Sequence, residues 1–252
     1  MDAVGTVAQL WRYPVKSFQG EQVERLDLAP GGAVGDRVWA VVDPQARKVL
    51  SGKRYADLLL ASARTEGDGV VLTLPDGSEH AAEDPRVHDA LSAWLGREVR
   101  LERPSADEVL PMEMHTGMSD ESTALFDWPG PPGTWVDLAD AHWLTTSSLR
   151  AAATHYPDGE WDVRRFRPTA LIDTPGDGFT EDGWSSLELG TVASEVLMPT
   201  PRCSMPSRAQ PGLGRDLAIG TSIRDGHDNN LGLYASVSRG GSIAVGDSVH
   251  AG

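Results

Sequence analysis

Breakers recur so often along this sequence that only short elements fit between them. Gly-Gly, Asp-Pro, Gly-Asp-Gly and Pro-Asp-Gly steps separate short apolar or alternating runs at 4–11 (VGTVAQLW), 22–28 (QVERLDL), 37–43 (RVWAVVD), 58–63 and 70–74. Pro75-Asp76-Gly77 directly follows one of these runs, and glycine supplies the positive φ that a turn needs without steric cost. Similar runs resume at 166–173, 191–198, 231–237 and 242–249. Strands at this spacing, with no repeating βαβ pattern, predict a barrel or sandwich. The fold class is mainly β with a few helices, an α+β chain.

Two segments carry a helical pattern. In 85–95, Asp84 can cap, Pro85 suits the first helical position and Gly96 can end the helix. Val87, Leu91, Trp94 and Leu95 then share one face. The second is 147–155, with Thr145 or Thr146 as cap and Ala151–Ala153 favouring helix. The polar stretch 105–123 and the stiff Trp128-Pro-Gly-Pro-Pro-Gly133 read as a connector between two β-rich halves. That division separates residues 1–120 from residues 121–252 as two β-rich domains.

Composition excludes several classes. Lys and Arg number 22 against 37 Asp and Glu, a formal charge of −15, which argues against a surface built to grip nucleic acid or an anionic membrane. One cysteine excludes an internal disulfide framework, a four-cysteine zinc site and a cluster held by four thiolates. No basic n-region precedes an apolar run at the N-terminus, and no window reaches the roughly 18 apolar residues of a membrane span. The expectation is a cytoplasmic protein whose lone thiol stays reduced.

Zinc-helix, phosphate-loop and nucleophile-elbow motifs are missing. Gly212-Leu-Gly214 matches a dinucleotide loop too briefly to count, and His227-Asp228-Asn229-Asn230 reads as a solvated loop. What stands out is a set of cations at turns and strand ends of an acidic chain: Lys16 beside Ser17, Arg37, Arg165 and Arg167, and Arg202 beside Cys203. Each alone is a ready surface partner for a carboxylate. As a set, with Arg165 and Arg167 expected on one strand face, they suit a bidentate grip on phosphate or carboxylate. Pro199, Pro201 and Pro206 stiffen the chain around Cys203, and Arg202 and Arg208 favour its thiolate. Such a thiolate is either a nucleophile or a soft-metal ligand.

These pieces resemble a known family. Tyr13-Pro14-Val15-Lys16-Ser17 and Gly35-Asp36-Arg37-Val38-Trp39 are similar to the N-terminal β-barrel domain that accompanies MOSC (molybdenum cofactor sulfurase C-terminal) domains. Leu144-Thr-Thr-Ser-Ser-Leu149, Arg165-Phe-Arg-Pro168, Glu181-Asp-Gly-Trp184, Leu189-Gly190, Arg202-Cys203 and Gly246-Asp247 follow in the order of the MOSC domain itself. The resemblance, to the amidoxime-reducing and YcbX-like branch, implies that 1–120 and 121–252 are each a β-barrel domain. It implies a molybdenum cofactor (molybdopterin) bound between the two, with Cys203 as the protein ligand to the metal. It implies that Lys16, Ser17, Arg37, Thr146, Ser147, Arg165, Arg167, Thr169 and Arg202 line the cofactor. Thr169 stands where the branch usually has Asn, and Ser204-Met205-Pro206-Ser207-Arg208 replaces the usual continuation after the cysteine.

The implied activity is a molybdenum-dependent oxidoreductase that reduces N-hydroxylated or N-oxygenated small molecules. Because one cysteine cannot hold a four-thiolate cluster, a separate ferredoxin or flavoprotein is expected as electron donor. No nucleic-acid or membrane partner is expected. The alternative is a sulfur carrier that forms a persulfide on Cys203 without molybdenum, or a cofactor carrier with no turnover.

Overall fold

The computed structural model describes residues 2–115 and 125–252. Its largest unit is a closed seven-stranded barrel. Going round it, Ala170–Asp173 pairs with Ala141–Thr145, then come Asn230–Arg239, Val192–Pro201, Ser186–Leu189, Ser248–Ala251 and Asp2–Arg12. The last pairs back onto Ala170–Asp173, with Leu10 opposite Ala170 and Thr6 opposite Asp173. Closure leaves no open edge. A Cβ at Gly5 would lie 2.1 Å from the Asp173 carbonyl oxygen, so only glycine permits this approach. Val7, Leu10, Trp143, Ile172, Leu189 and Val249 point into the barrel and are almost fully buried.

The seam Asp2–Arg12 comes from the first strand of the chain. The division at residue 120 groups it with the N-terminal half, yet both its main partners, Ala170–Asp173 and Ser248–Ala251, come from the C-terminal half. A second link runs the same way. Arg25–Ala29 pairs with Gly241–Ala244 and alternates exposed and buried residues, the period-two signature of a strand with one wet face.

The remaining N-terminal residues form two three-stranded sheets. One orders Arg100–Glu102, Ala40–Asp43 and Lys48–Val49; the other orders Ser62–Glu66, Gly69–Thr73 and Glu79–Ala81. They share a separate core with helix α1 (Arg86–Leu95), which buries Val87 and Leu91. The expected helix over 85–95 is found one residue shorter, with Pro85 just ahead of it, Gly96 in the left-handed conformation at its end and Asp84 accepting from the Arg86 amide at 2.9 Å. Helix α2 (Thr146–His155) is capped by Thr145, whose hydroxyl accepts from the Ser148 amide at 3.1 Å. It lies in the connection between the parallel strands Ala141–Thr145 and Ala170–Asp173.

Several sequence expectations differ from the structure. The run 58–63 is a 3-10 helix, Ala56–Leu60, before the strand begins at Ser62, because Leu58 and Leu59 are both buried as neighbours. The run 22–28 breaks at Glu24 into strands of two different sheets, and 242–249 breaks at Val245–Asp247. Part of the supposed connector pairs as a hairpin, Met112–His115 with Leu125–Trp128, and 116–124 lies outside the described residues. Helix α3 (Leu217–His227) has no counterpart in the sequence reading; Gly220, Thr221, Ser222 and Gly226 hide it, and Asp216 caps it by accepting from the Ala218 amide. His227 therefore ends a helix instead of lying in a loop. No helix among the described residues is long and apolar enough to cross a membrane.

Candidate functional site

A cavity of about 1180 Å³, its solvent-open mouth included, lies where the two halves meet. Lys16, Ser17, Arg37 and Lys53 line it from the N-terminal side, and Arg167, Thr169, Arg202 and Cys203 from the barrel side. Its size suits an organic cofactor or small molecule. Five cationic side chains face it, and among the described residues Asp137 is the one carboxylate in its lining. In a protein of formal charge −15 this is a local reversal of sign.

The N-terminal wall is a backbone strap. The Lys16 amide donates to the Trp39 carbonyl at 2.8 Å, and the Arg37 amide to the Tyr13 carbonyl at 2.7 Å. Pro14 cannot donate, so this irregular pairing suits it better than a central strand would. Lys16 is buried, and its Nζ donates to the Trp135 carbonyl at 2.7 Å and to Asp137 Oδ1 at 2.5 Å. Burial pushes the Lys16 pKa down to about 8, with the charge of Lys53 adding to the shift and Asp137 opposing it. Burial raises the Asp137 carboxyl, but Lys16 and Lys53 together hold it well below the ordinary range.

Three lining residues adopt left-handed backbone without being glycine: Ser17 at φ 69°, Arg37 at 48° and Arg167 at 54°. Such geometry costs roughly 1–2 kcal/mol per residue and persists where surrounding structure enforces it, typically at ligand clamps. Arg37 and Arg167 both lie over the Tyr13 ring, at 5.4 Å and 4.2 Å from its centroid. Arg37 also pairs with Asp36. Arg167 Nη1 donates to the Phe18 carbonyl at 2.6 Å, and burial pushes its pKa down to about 10.

Arg202 leaves the barrel strand beside Pro201 and is nearly buried. Its Nη2 donates to the Phe166 carbonyl at 2.9 Å, while its buried Nε has no partner among the described residues. Asn229, itself left-handed, holds the Arg202 backbone from both sides: its carbonyl accepts from the Arg202 amide and its Nδ2 donates to the Arg202 carbonyl, each at 2.8 Å. His142 Nε2 lies 3.4 Å from Arg202 Nη1. Burial and the Arg202 charge push the His142 pKa down to about 3, so its imidazole is neutral and can accept from the guanidinium. A Cβ at Gly232 would sit 2.5 Å from His142 Nε2, which explains the glycine there. Thr169 steadies the same histidine, accepting from its amide at 3.1 Å. Cys203, half-buried, completes the wall.

The cavity thus gathers Lys16, Ser17, Arg37, Arg167, Thr169, Arg202 and Cys203. Three other expected lining residues point elsewhere. Arg165 ends the 3-10 turn Val163–Arg165, so strand alternation never applies and the two arginines diverge. Its guanidinium is buried against the carbonyls of Pro206 and Gly214, at 3.0 and 2.9 Å. Thr146 donates to Asp173 Oδ1 at 2.8 Å, and Ser147 is buried among the hydroxyls of Thr145, Thr174 and Thr180. Conversely Lys53, Asp137, His142 and Tyr234 line the cavity without having been expected. Lys53 carried a legible signal, a cation in the breaker-flanked Ser-Gly-Lys-Arg; the other three carried none.

The donor set fits a phosphate-bearing group with a metal that needs one protein thiolate. Guanidinium and ammonium groups converge on the cavity, one of them with an unused buried N–H, and one soft ligand stands beside them. Among the described residues no three His, Cys, Asp or Glu side chains gather as a complete ligand set.

Comparison with known proteins places this geometry. Residues 4–103 match the MOSC N-terminal beta barrel domain and residues 137–250 the MOSC domain. The chain is 26% identical to the mitochondrial amidoxime reducing component 2 of Bos taurus, across 99% of this chain and 84% of the relative. It is 25% identical to the human mitochondrial amidoxime-reducing component 1 over the same shares. A molybdenum cofactor sulfurase of Drosophila willistoni is 27% identical over 77% of this chain and 26% of its own length. Among solved structures, the YUAD protein from Bacillus subtilis shares the fold with a TM-score of 0.50 at 12% identity, over 97% of this chain and 93% of that one. With both domain matches in order along most of its length, the chain belongs to the MOSC-domain family, carrying the MOSC N-terminal β-barrel domain ahead of the MOSC domain.

Proposed function

We propose that this protein is a molybdenum-cofactor-dependent reductase of N-hydroxylated or N-oxygenated small molecules, as the names of its amidoxime-reducing relatives suggest. The observation that carries this reading is Cys203 in the wall of a cation-lined cavity of a MOSC fold. Bound there, the cofactor supplies the two-electron chemistry that removes oxygen from an N–O bond. Cys203 would be the protein ligand to molybdenum. Arg37, Arg167, Arg202 and Lys16 would hold the phosphate and the anionic rim, with Ser17 and Thr169 as neutral contacts. Arg165, Thr146 and Ser147 take no part in this proposal, since their hydrogen bonds are spent inside the protein.

The protein's own contribution is binding and preorganisation. Tyr13, Asn229 and the left-handed turns fix the guanidinium groups before any ligand arrives, so little ordering cost remains at binding. Reducing an N–OH group to N–H consumes two electrons and two protons and releases water. One cysteine cannot hold a four-thiolate cluster, so these 252 residues carry none, and the proposed electron source is a separate donor such as a ferredoxin or flavoprotein.

Expression in a host that makes molybdopterin, followed by metal analysis, tests the reading. Near-stoichiometric molybdenum is expected in the native protein, with at least a tenfold loss in Cys203→Ser. Turnover should proceed with dithionite and stall with NADH alone. The sulfurase relative keeps a second reading in view, a persulfide-carrying Cys203. Mass spectrometry separates the two: a persulfide on metal-free protein, with no molybdenum in the native protein, replaces the first reading by the second.

A further inference from the structure

The charge around Asp137 carries an inference about which substrates the cavity accepts. Asp137 is the one described carboxylate in the lining, and it is the natural partner for a cationic ligand. Its side chain is 32% exposed, yet both of its oxygens are already paired. Lys16 Nζ takes Oδ1 at 2.5 Å and Lys53 Nζ takes Oδ2 at 3.2 Å, so both oxygens already face an ammonium group. Both lysines are fixed from behind: Lys16 by the Trp135 carbonyl at 2.7 Å, Lys53 by the Glu113 carbonyl at 2.8 Å. Neither can swing away without leaving a buried carbonyl without its donor, and each side chain is less than a tenth exposed.

Among the described residues, five lining cations against Asp137, and against Asp36 paired with Arg37 from behind, leave three positive charges in excess. A cofactor phosphate offsets about two of these. The lining also holds apolar side chains, among them Met114, Val136, Leu138, Pro201 and Met205. Such a wall takes an apolar body, and beyond the rings of Phe166 and Tyr234 it offers no counter-charge to a cation.

We infer that the cavity selects neutral or anionic N-hydroxylated substrates with an apolar body over cationic ones, and that Lys53 sets this selection by sealing Asp137. Lys53 is here a specificity-determining residue that acts through the carboxylate. The inference rests on the reductase reading of the cavity for its substrate class, and on the Lys16–Asp137–Lys53 geometry for its charge preference.

Three para-substituted benzamidoximes of similar size, bearing carboxylate, methyl or trimethylammonium, test it with molybdenum-loaded protein. The carboxylate and methyl compounds are expected to show kcat/KM at least tenfold above the trimethylammonium compound. Lys53→Met should narrow that ratio below threefold, chiefly through KM, whereas Lys53→Arg should keep it. A cationic substrate within threefold of the anionic one in the native protein overturns the inference. So does an unchanged ratio in a folded Lys53→Met variant. Calorimetric titration with the matching benzamides, which have no N–OH group, reads the same preference without turnover. A tenfold tighter anion supports it; equal or reversed affinities overturn it. If no benzamidoxime of any charge is reduced, the reductase reading fails, and the titration still decides the charge preference.

Discussion

Lys16 shows how a single side chain trades stability for binding. Burial disfavours the charged ammonium more than Asp137 favours it, and its pKa falls to about 8. A folded-state value below the ordinary 10.5 means that the folded protein binds this proton less tightly than the unfolded chain does. The cost is therefore fully present below pH 8 and fades as pH rises toward 10.5. Lys16→Met should lower stability at pH 7 by roughly 1–3 kcal/mol in denaturant titrations, because it leaves the buried Trp135 carbonyl and one oxygen of the ionised Asp137 without this donor. The same variant should weaken inorganic phosphate binding at least fivefold. A more stable Lys16→Met protein at pH 7 would show that the cost of burying the ammonium outweighs its bonds to Trp135 and Asp137. The importance of Lys16 was legible from its sequence setting, a cation two residues after a proline in an acidic chain. Its partner Asp137 was not, because 121 residues separate them and nothing local marks an aspartate as a lysine's neighbour.

At the scale of elements, the turn that ends at Arg165 is the instructive case. Arg-Phe-Arg alternates as a strand would, but Asp162 accepts from the Arg164 amide and closes a 3-10 turn. Arg165 thereby becomes a buried cross-link between this turn and 206–214, and Arg167 alone reaches the cavity. Arg165→Lys should lower stability by roughly 2–4 kcal/mol, because an ammonium cannot span the same set of carbonyls. Phosphate affinity should stay within twofold of native by calorimetry. A tenfold loss of affinity in the folded variant would return Arg165 to the binding site. Among helices, α1 was legible to within a residue since its cap, apolar face and terminal glycine agree. Helix α3 was not, since packing of Ile219 and Ile223 overrides two glycines and weak propensity.

For the whole molecule, the barrel depends on its most distant parts. Asp2–Arg12 lies between Ala170–Asp173 and Ser248–Ala251, so residues 137–252 by themselves leave a gap of one strand and two open edges. A fragment of 137–252 should aggregate or lack a cooperative thermal transition, while the full chain unfolds cooperatively. A cooperative transition in the fragment would mean that the barrel closes without its first strand. Sequence alone determined what local chemistry can write: short strands between breakers, a helix over 85–95, a set of cations at Lys16, Arg37, Arg165, Arg167 and Arg202 in an acidic chain, and the uniqueness of Cys203. Only tertiary structure decided that the first strand closes a barrel built mostly from the second half. It also decided that Arg165 faces inward and that Lys16 and Lys53 seal Asp137. Those outcomes rest on contacts between residues tens to hundreds of positions apart. Burial and desolvation set their energies there, and no local pattern encodes them.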